Sequence, residues 1–379
     1  MTRNVIFTVL FIFSLVFFLA AGISTSSTSG VVEENSIKAA GQSENKPDYI
    51  FEEIDPLYRE TDVSKLISIK DENDIVRKRN DIISYIWSGN GFPRSRMPDD
   101  VVNDFKDDRY VDFENLEKID KLTISMDFDF ESIVYLFHPV NTNGELILYH
   151  QGHRGDFILG ENTIRFFLKK GFSVMAFSLP LKGMNNQPIV ELPSLGKIKI
   201  TEHNQMEMLK FGNISPIKLF MEPIAVALNY AIKEFSFSPV YMIGISGGGW
   251  ATTVFSAIDT RIFRSYPVAG TYPIYMRAKR DWGDYEQIEP DLYRIANYLE
   301  LYILASYGDN KKQFQLLNKY DSCCFAGIKS QLYKNEVKKA LSRLGKGEFD
   351  VFIDDSHKEH MISDIVLELV AKDIKSVNP

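Results

Sequence analysis

The chain predicts an α/β fold: a mostly parallel central sheet with helices on both faces, plus a helical N-terminal extension. Short continuous apolar runs at residues 146–149, 172–179 and 240–245 have the length and lack of alternation expected of strands buried on both faces. Stretches with helical periodicity, at 162–170 and 221–235, separate them. Glycine or proline closes the runs, as at Gly171 and Pro180.

Composition agrees with that class. The 379 residues are 45% hydrophobic and 25% charged, which excludes a mainly disordered chain, a collagen-like fibre and a polytopic membrane protein. A net charge of −8 gives no global attraction to nucleic acid or anionic lipid. The two cysteines, Cys323 and Cys324, are adjacent, a spacing that rarely suits a disulfide, so the fold is expected to be held by its core.

At the N-terminus, Arg3 precedes an apolar run over residues 5–23, broken only by Thr8 and Ser14, and a Ser/Thr-rich stretch comes next. This layout reads residues 1–23 as a cleaved export signal or a single uncleaved membrane anchor. Either reading places the rest outside the cytoplasm: secreted, periplasmic or membrane-anchored. Residues 24–47, rich in Ser, Gly, Glu and Asn, read as a flexible linker. Residues 48–118 read as a helical extension, with Asp71 capping a helix that carries Ile75, Ile82, Ile83 and Ile86, before a break at residues 89–93.

The main domain is expected over residues 119–379. Strands are expected at 122–130 and 132–140, separated from the strand at 146–149 by the turn Asn141-Thr142-Asn143-Gly144. Further strands are expected at 172–179, 240–245, 264–268, 299–306 and 349–354. Residues 311–320 look helical, and 365–374 form a closing helix. Residues 182–212 and 271–296 lack a period and come after strand ends, where open sheets place their sites. They read as substrate-facing loops or lids, or as plain surface loops.

The sharpest motif is Gly244-Ile245-Ser246-Gly247-Gly248-Gly249-Trp250, between an expected strand and an expected helix. A serine in so tight a strand-to-helix turn is held exposed and strained. The helix N-terminus next to it supplies backbone N–H groups to a developing oxyanion. A glycine-rich packing turn is the alternative. A phosphate-binding loop is disfavoured, because the lysine and glycine spacing of a P-loop are missing.

With this elbow, the loop His150-Gln151-Gly152-His153 and the acidic and histidine residues downstream, residues 120–375 resemble a serine hydrolase of the α/β-hydrolase superfamily. The likeness is to its dienelactone hydrolase, acetyl xylan esterase and prolyl oligopeptidase branches. The resemblance implies Ser246 as nucleophile, with an oxyanion hole from the Gly247 N–H and one N–H of the 149–153 loop, His153 before Gln151. It implies an acid after the penultimate strand. Asp309 is the first choice, although it also reads as a helix cap, and Asp321 and Asp354 are rivals. The base lies beyond the last strand and is His360 or His357. His138 and His203 precede the serine and fit only if the usual order fails.

The implied chemistry is hydrolysis of a carboxylic ester through an acyl-enzyme, with no cofactor. A metal at His150, His153 and Asp156 lacks a further clustered ligand, so none is expected. A peptidase or amidase of the same fold, and a non-catalytic binding protein, are the alternatives. The expected partner is a small-molecule or saccharide ester rather than nucleic acid. Trp282, Tyr285, Tyr272 and Tyr275 suit an aromatic wall for such a substrate, or ordinary packing.

Overall fold

The computed structural model describes residues 51–211 and 214–377. The expected export segment and linker lie outside the described residues. Among the described residues, no helix is long and apolar enough to cross a membrane.

The extension contributes α1 (Glu72–Ile86) and the short strand β1 (Asp100–Val102), besides several 3-10 turns. Asp71 caps α1 by accepting the Asp74 N–H at 3.0 Å. Ile75, Ile82 and Ile86 are fully buried and belong to the same core as the main sheet, so the extension packs on it. The rest of the chain runs β2 (Leu116–Ser125), β3 (Glu131–Pro139), β4 (Leu146–His150), α2 (Glu161–Lys169), β5 (Ser173–Phe177), β6 (Ile189–Leu192), β7 (Gly196–Lys199), α3 (Lys218–Phe235), β8 (Val240–Ile245), α4 (Gly247–Ile258) and β9 (Ile262–Val268). It closes with α5 (Tyr285–Ile288), α6 (Pro290–Ile295), α7 (Tyr298–Ser306), β10 (Lys312–Asn318), α8 (Lys334–Leu344), β11 (Glu348–Asp354) and α9 (Asp364–Lys375).

The main sheet has the order β1-β2-β3-β5-β4-β8-β9-β10-β11. The pairs from β1 to β5 are antiparallel, and those from β5 through β4, β8, β9 and β10 to β11 are parallel. Strand side chains alternate between two cores, as the pleat requires. Leu146, Leu148, Met175, Val240 and Met242 join the core beneath α1, α3, α4, α7 and α8. Ile147, Tyr149, Val174, Ala176, Tyr241 and Ile243 join the one beneath α2 and α9. Both faces of the central strands are therefore dry, which explains the continuous apolar runs.

Two expected elements are exchanged. Residues 299–306, expected as a strand, form α7, and 311–320, expected as helical, contain β10. The run Leu-Glu-Leu-Tyr-Ile-Leu-Ala-Ser is buried all round, so it has no polar stripe to reveal its period. Its start is nevertheless marked. Asn297 accepts from the Leu299 and Glu300 N–H groups, and Glu300 reaches back to the Asn297 N–H, a capping box. In β10 the buried Gln313 and Gln315 interrupt the apolar run that signals a central strand. Gln315 is satisfied there by the Thr271 carbonyl at 2.9 Å and the Tyr333 hydroxyl at 2.6 Å.

Candidate active site

The parallel strands end at one edge of the sheet, and the site residues gather there. β8 stops at Ile245 and α4 begins at Gly247, leaving Ser246 alone in the turn with φ 58° and ψ −125°. A non-glycine residue at positive φ is strained. Here the Ser246 N–H is held by the Val268 carbonyl at 2.9 Å and the Ser246 carbonyl by the Trp250 N–H at 3.0 Å. The turn also needs glycine: a Cβ on Gly248 would strike the carbonyl of His150.

Across from the serine, β4 runs into the 151–155 loop. A Cβ on Gly152 would lie 2.6 Å from the Ser246 Cβ, so the loop backbone rests directly on the elbow. Ser246 and His360 line one cleft of about 270 Å³ with Gln151, Gly152 and His153. Tyr149, Leu159, Met361 and Ile362 supply its apolar wall.

His360 lies in the loop between β11 and α9. Its Nδ1 is 2.7 Å from the Oδ2 of Asp321, a fully buried carboxylate. Its Nε2 is buried and has no hydrogen-bond partner among the described residues. Asp321 is fixed from several sides. The Cys323 and Cys324 N–H groups donate to Oδ1 at 2.7 and 3.3 Å, and the Asn318 amide donates to Oδ2 at 3.2 Å. The same amide reaches the Met361 carbonyl at 2.9 Å, and the Ser322 N–H donates to the Lys358 carbonyl at 3.0 Å. The acid loop and the histidine loop are thus tied together.

Asp309 is corrected by this arrangement. It precedes β10 and so lies at the opposite edge of the sheet, its side chain 84% exposed and 4.0 Å from Lys346. The carboxylate that meets His360 comes after the end of β10, at Asp321. The alternative base His357 does not line the cleft. Its Nε2 faces Asp354 at 3.4 Å and its Nδ1 faces Glu359 at 3.8 Å. Burial pushes the Asp354 carboxyl up, but hydrogen bonds from Ser356 and Ser363 outweigh it and hold the group below its usual range. Asp354 thereby braces Ser363, the N-cap of α9, whose hydroxyl accepts the Val366 N–H at 3.1 Å.

Gln151 is corrected as an oxyanion donor, because its N–H is taken by the Phe177 carbonyl at 2.9 Å. Gly247, at the first position of α4, follows Ser246 directly, and a Cβ on it would lie 2.4 Å from the His153 ring. His150 does not converge with His153 and Asp156 on a metal. It stacks on Phe177 and donates from Nδ1 to the Gln151 carbonyl at 2.9 Å, while Asp156 caps a 3-10 turn through the Ile158 N–H. Burial pushes the His150 imidazole down to about 4, so it is neutral near pH 7. Burial also pushes the neighbouring Tyr149 phenol well above its ordinary value.

Of the two readings of Trp282, Tyr285, Tyr272 and Tyr275, an aromatic wall or ordinary packing, the first finds no support, since none of them lines the cleft beside Ser246. Tyr272 and Tyr285 are core residues, and Trp282 is half exposed. The adjacent cysteines are joined in a disulfide, contrary to the sequence expectation. A sulfur of each lies within 4.8 Å of a His360 ring nitrogen.

No protein-family model matches the sequence, and no curated protein matches it. Solved structures do share its fold. Acetyl xylan esterase 1 from Thermoanaerobacterium sp. JW/SL YS485 superposes with a TM-score of 0.56 at 12% identity, over 84% of this chain and 98% of that one. The acetyl xylan esterase from Paenibacillus sp. R4 gives 0.56 at 14% identity, over 83% and 98%. A methylesterase gives 0.56 at 11% identity, over 80% of this chain and 63% of its own. The chain has the α/β-hydrolase fold of these structures.

Proposed function

We propose that the protein hydrolyses a carboxylic ester through an acyl-enzyme, with Ser246 as nucleophile, His360 as base and Asp321 as the acid that orients it. The observation that carries this reading is one cleft holding both the elbow serine and His360, whose far nitrogen is 2.7 Å from a buried carboxylate. Ser246 Oγ attacks the ester carbonyl while His360 Nε2 takes its proton. The charge on the tetrahedral oxygen falls to the Gly247 and His153 N–H groups. The carbon–oxygen bond to the alcohol breaks as His360 returns the proton to the leaving oxygen. Water then attacks the acyl-serine, again giving a proton to His360, and the acid departs with Ser246 restored.

The acyl group is small, because a cleft of about 270 Å³ lies at the low end for ligand sites. A saccharide ester is the substrate class we favour, in keeping with the acetyl xylan esterases that share the fold. We place the chain outside the cytoplasm on its N-terminal apolar run, and the Cys323–Cys324 disulfide suits such an oxidising compartment. Hydrolysis of an aryl acetate and of acetylated xylo-oligosaccharides by wild type and Ser246→Ala tests the reading. Wild-type turnover that falls by at least ~10³-fold in the variant supports it, and equal rates refute it.

A further inference from the structure

Beside the cleft, on the far side of His153, four ligand-type side chains from three separate segments converge. His153 comes from the loop after β4, His203 from the segment after β7, and Asp284 and Glu286 from the start of α5. One atom from each lies within 4.8 Å of all the others. His153 Nε2 is 2.8 Å from Glu286 Oε1 and 3.3 Å from Asp284 Oδ2. His203 Nδ1 is 3.3 Å from Glu286 Oε2 and 4.0 Å from Asp284 Oδ2. Four ligands at zinc bond lengths of about 2.0–2.2 Å form a tetrahedron with edges of about 3.3–3.6 Å, and the observed separations bracket that value.

The buried half of the cluster is a close pairing of one imidazole with one carboxylate. His203 and Glu286 are almost completely enclosed. His203 Nε2 donates to the Pro180 carbonyl at 2.9 Å, which leaves Nδ1 as the ring nitrogen turned toward the cluster. That nitrogen and Glu286 Oε2 are both buried and have no hydrogen-bond partner among the described residues, although they face each other. A buried carboxylate oxygen facing an imidazole nitrogen must be met by a proton on that nitrogen or by a metal cation between the two, and the second and third ligands beside them favour the cation. An imidazole whose other nitrogen donates to a backbone carbonyl is also the arrangement of metal-bound histidine.

Asp284 completes the set. It occupies the N-cap position of α5, yet its side chain makes no capping bond, and it is 42% exposed, which gives an ion a path from solvent. The backbone around the cluster is already joined, because the Tyr285 N–H donates to Asn204 Oδ1 at 2.9 Å.

We infer that His153 Nε2, His203 Nδ1, Asp284 and Glu286 bind one divalent transition-metal ion of the zinc class. Two imidazoles and two carboxylates suit zinc better than magnesium or calcium, which prefer oxygen throughout. All four positions of the ion are filled by protein, so the site is structural. It clamps the 151–155 loop, which rests on Ser246, to both irregular insertions at once.

The test is metal content and melting temperature of the full chain, neither of which depends on ester turnover. After equilibration with zinc chloride and dialysis, wild type is expected to retain one zinc per chain. Its melting temperature is expected to rise by about 5 °C over the chelator-treated protein. His203→Gln is expected to lose the retained zinc. Asp284→Asn, a half-buried position where the shape is kept, is expected to fold and to bind zinc at least about tenfold more weakly. A wild-type chain that retains no zinc and melts unchanged overturns the site and leaves a metal-free network of imidazolium and carboxylate. Zinc binding by Asp284→Asn as tight as by wild type also overturns it.

Discussion

Asp321 is the residue on which the reading of the site turns. Its buried carboxylate accepts from His360, from Asn318 and from two consecutive backbone amides, so the imidazole it orients has little freedom. Asp321→Asn keeps the shape but reverses a hydrogen-bond role, and kcat for ester hydrolysis is expected to fall by roughly 10²–10⁴-fold. Asp309→Ala, at the opposite edge of the sheet, is expected to leave kcat within a factor of about two, since a surface change far from the site rarely matters. Steady-state kinetics on one aryl acetate reads both. The disulfide acts on the same carboxylate, since the amides of both its cysteines donate to Oδ1. Replacing Cys323 and Cys324 together by serine is expected to lower kcat by about five- to tenfold, the loosening of one hydrogen bond's worth of about 1 kcal/mol. An unchanged kcat in that variant would show that the disulfide has no part in holding Asp321.

At the scale of elements, α7 and β10 show where the sequence is readable and where it is not. The strands 146–150 and 240–245 stand out because both faces are covered by apolar packing, and the elbow stands out because three glycines in a row serve close approaches there. A helix buried on every side carries no stripe, and a central strand containing two buried glutamines loses its apolar signature. Exchanging these two elements moves the expected acid from the end of β10 to the turn before it. The Asn297–Glu300 capping box is the local signal that separates the two. Asn297→Ala removes the acceptor for two N–H groups at the start of α7 and is expected to cost about 1 kcal/mol in denaturant unfolding, with esterase activity retained. The His153, His203, Asp284 and Glu286 cluster has no linear signal, because its members come from three segments and no spacing between them resembles a metal motif.

Over the whole molecule, the two cores packed on opposite faces of the sheet leave polar side chains inside that must be kept neutral or paired. His150, at the end of β4, is one of these. It is fully buried, and its pKa is depressed from 6.5 to about 4. The unfolded chain therefore binds a proton between pH 6.5 and 4 that the folded chain refuses, so stability falls as pH drops through that window. Its share of the loss is about 3 kcal/mol at most. His150→Phe, which preserves the stack on Phe177, is expected to flatten the dependence between about pH 6.5 and 4.5 in urea unfolding. A slope identical to wild type would show that His150 is not the group responsible.

A serine that carries the acyl group of an ester is also the residue a fluorophosphonate modifies, so covalent labelling reads the assignment of Ser246 without an assay of turnover. The full chain is treated with a fluorophosphonate, digested, and the adduct located by mass spectrometry. One phosphonyl group on the peptide that contains Ser246, blocked by prior incubation with an ester substrate and absent in His360→Ala over the same interval, is the expected result. An unlabelled chain, or a label on any other residue, would refute it.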